Sequence, residues 1–309
     1  MHPFTAQRSQ TVAALGERRL IEQIRAWLGR ANPPAPFGIG DDCAVLRASP
    51  CAQLVTVDPV IFGRHFDARV APEAVGAKLL KRNLSDIAAM GGRPRAAVVG
   101  LTLSANTKAA WVEGFYRGLA QAARTFAVPI VGGDVAQADG VVVASLTLLG
   151  EATTRRVLTR TGARVSDWIY VTGELGHTLA TRHHLTFTPR LREGRWLVRR
   201  EEVRAMMDLS DGLAKDLWSI TPPQAVPEVS ASALPLRAGA DVRGALSDGE
   251  DYELLVAVDG QADCARFERA WRRAFPRPAL TRIGRFARRG RVAAGALHLE
   301  DYRGFEHLR

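Results

Sequence analysis

Apolar residues recur every three to four positions in three segments of the first half, a spacing typical of one buried helix face. The strongest pattern covers residues 73–90 and is followed by Gly91-Gly92, which can end a helix. Its apolar face consists of Val75, Leu79, Leu80, Leu84, Ile87 and Ala88. The same spacing predicts helices over residues 9–29 and 108–126.

Short continuous apolar runs predict strands between these helices. In the first half they cover residues 44–46, 54–57, 96–103, 128–131 and 141–149. After Gly150 the chain is polar and basic over residues 153–164. Strand patterns then return at 168–171, 253–258 and 280–284, with a helix at 212–220. We therefore predict two α/β domains, 1–150 and 151–309.

Composition excludes several classes of protein. The 309 residues are 47% hydrophobic and 24% charged, unlike a largely disordered chain. No run of 18 uninterrupted apolar residues occurs, so no membrane-spanning helix is predicted. The three cysteines are too scattered for a disulfide framework or a zinc site. Because the first eight residues also lack an apolar secretory core, we expect a cytoplasmic protein.

Positive charge is concentrated near the C-terminus. Lys and Arg outnumber Asp and Glu by 42 to 32, and residues 261–309 contain twelve arginines against five acids. Such a surface could attract nucleic acid, acidic lipid or phosphorylated small molecules. No zinc finger, RNP-like motif or leucine zipper accompanies it. We interpret it as ordinary solubilising charge and expect no nucleic-acid or membrane partner.

Aspartates stand beside glycines at the predicted ends of several elements, in segments 40–42, 57–58, 84–86, 132–134, 208–212 and 248–251. One such residue commonly caps a helix or shapes a loop, and Ser210 in DLSDG is itself typical of an N-cap. Asp86, however, falls in the last turn of its helix, where its charge opposes the helix dipole. Asp58 and Asp134 follow apolar strands, where α/β folds place functional groups.

Converging carboxylates without His or Cys partners suit Mg²⁺, which takes oxygen ligands and usually also binds phosphates. The pattern therefore favours phosphoryl transfer. No Walker motif, protein-kinase motif set or GxSxG serine motif occurs, so a nucleotide site would have another architecture. His183 and His184 lack the spacing of metal ligands, whereas His65 follows Asp58 closely in a predicted loop.

Seven segments together carry a resemblance to a known family. They are GIGDDCAVL (38–46), VTVDPVIFGRHF (55–66), KRNLSDIAAMGGRP (81–94), VGGDVAQ (131–137), LTRTGARVSDWIYVTGELG (158–176), MDLSDGLAKDL (207–217) and SDGEDYELL (247–255). In this order they resemble the thiamine-monophosphate kinases, which are related to aminoimidazole ribonucleotide synthetase, selenophosphate synthetase and a hydrogenase maturation protein. The resemblance covers most of the chain.

The resemblance implies an α/β (α+β) fold with two domains. The first domain would bind ATP and Mg²⁺ and would pair with a second copy through a barrel-like sheet, forming a homodimer. The second domain would complete the nucleotide and acceptor site. The implied reaction moves the γ-phosphate of ATP directly onto the phosphate of thiamine monophosphate.

The resemblance also implies residue roles by matching position. The metal ligands would be Asp42, Asp58, Asp86, Asp134, Asp208 and Asp211, assisted by Asp41. ATP would be held by Thr56, Gly133, Arg160 and Ser210. Thiamine monophosphate would face His65, Glu250 and Phe305, the last as an aromatic surface for its rings. Asp58, Asp211 and Arg160 would be catalytic.

The sequence departs from the family pattern mainly in segments assigned to the acceptor. Val57 replaces a hydroxyl residue, Phe62 replaces a glutamate or small residue, and Asp248 replaces a glycine. Residues 176–189 form a shorter segment than is typical. These departures keep a second hypothesis open, a paralogue with the same fold acting on another small phosphorylated acceptor. A non-catalytic nucleotide-binding protein is a third, which the retained carboxylates oppose.

Overall fold

The structure is a computed structural model, and it describes residues 1–34, 37–39, 46–290 and 295–305. The chain divides into two compact units. The first consists of Met1–Leu84 and Pro94–Glu151, and the second of Ser85–Arg93 and Ala152–Arg309. In the described part of the chain, no helix is long and apolar enough to cross a bilayer.

The first unit is built on a four-stranded mixed sheet. Its elements, some of which end just inside the second unit, are α1 (Val12–Leu15), α2 (Glu17–Leu28), β1 (Gln53–Ile61), α3 (Pro72–Ala89), β2 (Gly92–Leu103), α4 (Ala109–Phe126), β3 (Ile130–Gln137) and β4 (Val142–Ala152). The strand order is β1-β4-β2-β3, with β1 antiparallel to β4 and β2 parallel to β3. Strands β1 and β3 are therefore the two edges.

Alternation along the strands gives this sheet one buried and one open face. On β4, Val142, Ala144, Leu146 and Leu148 are buried and the residues between them are half-buried. Val55 and Val57 of β1 are exposed by 65% and 58%, so they lie on the open face. The open face consequently carries apolar side chains that no described residue of this unit covers.

Helices α3 and α4 cross closely because glycines stand at their contact. A Cβ on Gly118 of α4 would collide with the backbone oxygen of Glu73, and one on Gly76 of α3 with that of Phe115. Glycine normally weakens a helix interior. Here the two glycines let the backbones of α3 and α4 approach more closely than any side chain at these positions would permit.

The first predicted helix is interrupted. Residues 9–29 form two helices, α1 and α2, because Gly16 between them has φ of 75°. A left-handed residue cannot continue a right-handed helix. The apolar face survives in α2, where Leu20, Ile24 and Leu28 are buried.

The second unit is built on a five-stranded antiparallel sheet with the order β6-β8-β5-β9-β7. Its elements are β5 (Trp168–Thr172), α5 (His183–Thr186), α6 (Leu191–Leu197), β6 (Val203–Asp208), α7 (Leu213–Ile220), β7 (Ala225–Val229), α8 (Val242–Ser247), β8 (Leu254–Val258), α9 (Cys264–Ala274) and β9 (Leu280–Arg288).

Helices cover both faces of this sheet. Ile169 and Val171 of β5 belong to a core cluster with residues of α7 and α8. Tyr170, between them, points to the opposite face and meets Phe267 of α9 at 5.7 Å between ring centroids. Trp196 of α6 packs on the same helix. Buried on both sides, the central strands contain few polar residues, as expected for a covered sheet.

Several predicted elements need correction. Strands β1 and β9 extend well beyond the predicted residues, and α5, α6, α8, α9, β6 and β7 were not predicted. The apolar run of strand β6 is only three residues long, because Arg204 separates it from Val203. So short a run does not predict a strand. Ser210 is not the N-cap of α7, since that position is Gly212. The predicted strand at 44–46 lies almost entirely outside the described residues.

Candidate functional site

Three segments of the second unit that are distant in sequence meet at the end of β6. The N–H of Glu250 donates to the Ser210 oxygen at 2.8 Å, and that of Tyr252 to the Leu209 oxygen at 2.8 Å. The N–H of Phe305 donates to the Asp211 oxygen at 2.9 Å. These backbone bonds bring predicted metal, nucleotide and acceptor residues of this unit into one place.

Asp216 holds the turn that carries Ser210 and Asp211. Its Oδ2 accepts the N–H groups of both residues, at 3.0 and 3.1 Å. Burial raises the pKa of Asp216 to about 7, and the charges of Asp208 and Asp211 act in the same direction, against the two backbone hydrogen bonds. The turn is therefore held by a buried carboxyl group whose tendency to ionise is weakened. Sequence analysis missed Asp216, although its position in DLSDGLAKDL, just inside a helix, was a usable signal.

Asp208 and Asp86 approach this region from different elements of the second unit. Asp208 is buried at the end of β6 and accepts a hydrogen bond from the Ser85 hydroxyl at 2.6 Å. Ser85 precedes Asp86, which is half-buried in the last turn of α3. That turn contains no basic residue to offset the charge of Asp86. Its predicted position at the helix end is thus confirmed.

Two further residues complete the described arrangement in the second unit. Lys215 Nζ forms an ion pair with Asp211 Oδ2 at 2.7 Å and bonds the Phe305 backbone oxygen at 2.6 Å. The Phe305 side chain is exposed by 44%. Arg160 is exposed in a 3₁₀ turn beside β6, anchored where the Met206 N–H donates to the Thr159 oxygen at 3.3 Å.

The segment around Glu250 has a strained backbone. Gly249, Glu250 and Tyr252 have φ of 69°, 55° and 53°. Left-handed conformations at residues other than glycine cost free energy and cluster at functional sites. Tyr252 is held by stacking on Phe187 at 4.0 Å between ring centroids. The left-handed backbone torsion angles set the direction in which the chain presents Glu250.

In the first unit, Thr56 and Asp58 lie on the helix-facing side of β1. Arg82 of α3 reaches Asp58 Oδ1 at 3.4 Å and the Pro59 oxygen at 2.6 Å. The pKa of Lys81, one residue before Arg82, is lowered to about 8 by burial and by the charge of Lys78. A basic side chain, Arg82, thus pairs with the predicted metal ligand Asp58, and the sequence did not single it out.

His65 is fixed by hydrogen bonds at the end of β1. Its Nδ1 accepts the Ile61 N–H at 3.1 Å, and its backbone oxygen accepts a bond from Lys78 Nζ at 3.2 Å. Lys78 is fully buried. The imidazole orientation is therefore set within the first unit.

Gly133 and Asp134 lie on β3, at the other edge of the first unit's sheet. The strand order places Asp58 on β1 and Asp134 on β3 at opposite edges of the sheet, three strand spacings apart, which is about 14 Å measured across the strands. A pocket of about 340 Å³ adjoins Asp134. It is lined mainly by Ile21, Ile24, Ile39, Val99, Tyr116 and Ile130. The first unit alone therefore does not join Asp58 and Asp134.

The described residues offer oxygen donors but no complete set of ligands for a magnesium ion. No three His, Cys, Asp or Glu side chains within residues 1–34, 37–39, 46–290 and 295–305 are grouped as a metal site. Predicted ligands Asp41 and Asp42 lie outside those residues. Asp208 and Asp211 nevertheless offer only oxygen donors, and their charges already act on Asp216. This donor chemistry fits a hard cation.

Comparison with known proteins gives the family. Residues 40–152 match the model for "AIR synthase related protein, N-terminal domain". A thiamine-monophosphate kinase of Salmonella typhimurium is 33% identical over 275 residues, 79% of this chain and 83% of the relative. The enzyme of that name from Rhodopirellula baltica is 34% identical over 249 residues, 74% and 78% of the two chains.

The chain belongs to the thiamine-monophosphate kinase family.

Solved structures of thiamine-monophosphate kinase family members agree with this assignment. The Stenotrophomonas maltophilia thiamine-monophosphate kinase is 30% identical, with a TM-score of 0.74 and coverage of 89% of this chain and 96% of that chain. AaThiL complexed with AMPPCP and TMP is 28% identical, with a TM-score of 0.69 and coverage of 96% and 98%. The predicted α/β (α+β) fold of this family is confirmed, with one sheet in each unit.

The departures from the thiamine-monophosphate kinase pattern have structural explanations. Val57 points to the open face of β1, away from Asp58. Phe62 joins an aromatic cluster, meeting Phe4 and Phe66 at 5.7 and 5.6 Å between ring centroids. Asp248 accepts the His177 N–H at 2.7 Å, so its carboxylate ties two loops together.

Proposed function

We propose that this protein phosphorylates thiamine monophosphate with ATP and Mg²⁺, giving thiamine diphosphate. The proposal rests on one observation. In the second unit, backbone hydrogen bonds bring the Asp208–Asp211 turn, Glu250 and Phe305 together. These residues match family positions for the metal, the nucleotide and the acceptor. Family relatives are named for this activity, and one solved structure is titled as a complex with AMPPCP and TMP.

The carboxylates would organise charge rather than act as a general base. The acceptor of a γ-phosphate is here another phosphate, which is already anionic and needs no deprotonation. Asp58, Asp86, Asp134, Asp208 and Asp211, with Asp41 and Asp42, would hold Mg²⁺. When bound, Mg²⁺ neutralises phosphate charge and orients the phosphates for in-line transfer. Arg160, exposed beside β6, would contribute a further positive charge.

By matching family position, Thr56, Gly133 and Ser210 would contact ATP. The apolar pocket beside Gly133 and Asp134 has a size and lining that suit a purine base. A Cβ at Gly133 would collide with the backbone oxygen of Val99, so glycine lets β3 lie directly beside β2 at this edge of the pocket.

The acceptor would be recognised by charge and by an aromatic surface. Glu250 is presented by a strained segment that fixes its direction. The exposed ring of Phe305 offers a face on which the thiamine rings can stack. His65, oriented through Nδ1, would face the same substrate.

We further propose that residues 1–150 form the dimerisation and ATP-binding domain, and that residues 151–309 complete the site. The exposed valines on the open sheet face favour pairing with a second copy of the chain. The described cysteines, Cys51 and Cys264, are free thiols, which suits a cytoplasmic location.

Direct detection of thiamine diphosphate from purified protein tests the function. Product should require ATP, thiamine monophosphate and Mg²⁺ together. Asp211→Asn removes a carboxylate charge from the turn and should reduce turnover at least a hundredfold, about 2.7 kcal/mol in transition-state free energy. The circular dichroism spectrum should not change. Asp139→Asn, at an exposed aspartate of the first unit, is the matched control and should retain activity.

Two results would contradict the proposal. Full activity of Asp211→Asn would remove the assigned metal role. Mg²⁺-dependent ATP binding without thiamine diphosphate formation would direct the search to other phosphorylated acceptors.

A further inference from the structure

Lys215 connects two parts of the second unit that lie far apart in sequence. Its ammonium donates to Asp211 Oδ2 at 2.7 Å and to the Phe305 backbone oxygen at 2.6 Å, across 90 residues. The Phe305 N–H donates in turn to the Asp211 backbone oxygen at 2.9 Å. The Lys215 side chain thus bonds both of the residues, Asp211 and Phe305, that this backbone hydrogen bond joins. We call the contact among Asp211, Lys215, Gly304 and Phe305 the C-terminal clamp.

Local structure does not favour a lysine at this position. Lys215 lies in the first turn of α7, where the positive end of the helix dipole disfavours a cation. A lysine at the surface also loses side-chain entropy when it is held in one conformation. The two short hydrogen bonds of the Lys215 ammonium offset both costs. The Lys215 side chain therefore depends on Asp211 and Phe305 to hold this conformation.

Gly304 lets the C-terminal segment lie directly on the turn. A Cβ at Gly304 would stand 2.5 Å from the Asp211 oxygen and 2.7 Å from Lys215 Cβ. Only a residue without a side chain fits this approach. The methylene stem of Lys215 therefore covers the segment while its ammonium bonds the carbonyl of Phe305.

We propose that Lys215 is a positioning residue that holds Phe305 in place for the acceptor. This inference rests on the proposed function, because it takes the roles of Asp211 and Phe305 from it. Lys215 acts through Phe305 and does not contact the reacting atoms. Without Lys215, the segment would lose the hydrogen bond to the Phe305 carbonyl, and the aromatic surface would lose preorganisation.

Kinetics of Lys215→Met test the proposal at saturating Mg²⁺, so that a changed metal affinity of Asp211 does not enter. Loss of a charge-assisted hydrogen bond predicts a rise of about tenfold in the KM for thiamine monophosphate. The KM for ATP should stay within about twofold. Lys215→Arg should recover most of the effect. Lys108→Met, the same substitution at a half-buried lysine of the first unit, is the control and should leave both constants unchanged.

A double-mutant cycle decides whether Lys215 acts through Phe305. If it does, Lys215→Met should have little further effect on acceptor KM in a Phe305→Ala background. If the full tenfold rise persists in that background, Lys215 acts by another route and the proposal is overturned.

Hydrogen exchange of the C-terminal segment gives a readout that needs no turnover. In Lys215→Met, the Phe305 amide should exchange at least about tenfold faster than in the unmodified chain. Unchanged protection would overturn the clamp. If the unmodified protein makes no thiamine diphosphate, the proposed function fails, and this exchange measurement alone decides the clamp.

Discussion

Glu253 carries a carboxylate into the interior of the second unit, where Arg190 binds it. Arg190 Nε and Nη2 donate to the two carboxylate oxygens at 2.7 and 2.5 Å, and Thr172 adds a hydrogen bond at 2.6 Å. Burial still raises the pKa of Glu253, against the influence of Arg190. The carboxylate therefore depends on its partners to stay charged.

Arg190→Met should destabilise the protein by about 3–5 kcal/mol, because it leaves a buried carboxylate without its cation. Urea unfolding at pH 8.5 measures this loss. Arg18→Met breaks an exposed ion pair with Glu22 and should change stability by less than about 0.5 kcal/mol.

The loss of unfolding free energy in Arg190→Met should also depend on pH. In the variant, the folded-state pKa of Glu253 lies further above its unfolded value, so the folded form binds the extra proton. Stability is then greatest below the unfolded pKa and falls as the pH rises through the folded pKa. The deficit should be smaller at pH 5.5 than at pH 8.5. Equal deficits at both pH values would contradict this account.

At the level of single residues, the sequence identified groups that stand in motifs and missed groups defined by contacts. Asp208 and Asp211 could be recognised because glycines and apolar runs surround them. Ser85 and Lys215 could not, since Ser85 bonds Asp208 and Lys215 bonds Phe305, each 90 or more residues away. The roles assigned to the motif residues stay predictions until activity is measured.

At the level of elements, the crossing of α3 and α4 depends on Gly118. Gly118→Ala would normally strengthen a helix by about 1 kcal/mol. Here the added methyl would collide with the Glu73 backbone oxygen. We expect the variant to be less stable by at least about 2 kcal/mol, because overpacking forces the helices apart.

Thermal unfolding checks this prediction, with Arg117→Ala on the exposed side of the same helix as control. That control should stay within about 0.5 kcal/mol of the unmodified chain. A higher Tm for Gly118→Ala would show that the helices can separate at no cost.

Helices with long, regular patterns and the covered strands β5 and β8 were predicted well, whereas elements with interrupted patterns were not. Helices α3 and α4 match the predicted segments within one or two residues. Helix α9 escaped prediction because its buried face consists mainly of Phe267 and Trp271 among several arginines. Packing of these two rings on the sheet, rather than a continuous apolar stripe, stabilises that helix.

At the level of the whole molecule, the open sheet face of the first unit predicts association. Val55 and Val57 protrude from β1, opposite Leu149 and Thr147 of β4. Exposed apolar patches of this kind mark interaction surfaces. Val57→Lys should shift the proposed dimer to monomer in light scattering, because the interface would have to bury two lysine charges, one from each copy.

Leu179→Lys, at an exposed leucine of the second unit, is the matched control and should leave the mass unchanged. A monomeric unmodified protein, or a dimer that tolerates Val57→Lys, would contradict the assignment of this face.

The left-handed residues near Glu250 have a consequence for adaptation to heat. Glycine or asparagine at position 250 would relieve backbone strain and raise stability, and a β-branched residue there would do the opposite. Selection for heat resistance alone would favour the first kind of change at position 250 and discard the carboxylate assigned to the acceptor. The φ and ψ angles at position 250 therefore affect both stability and the proposed recognition of the acceptor, and selection for one opposes selection for the other.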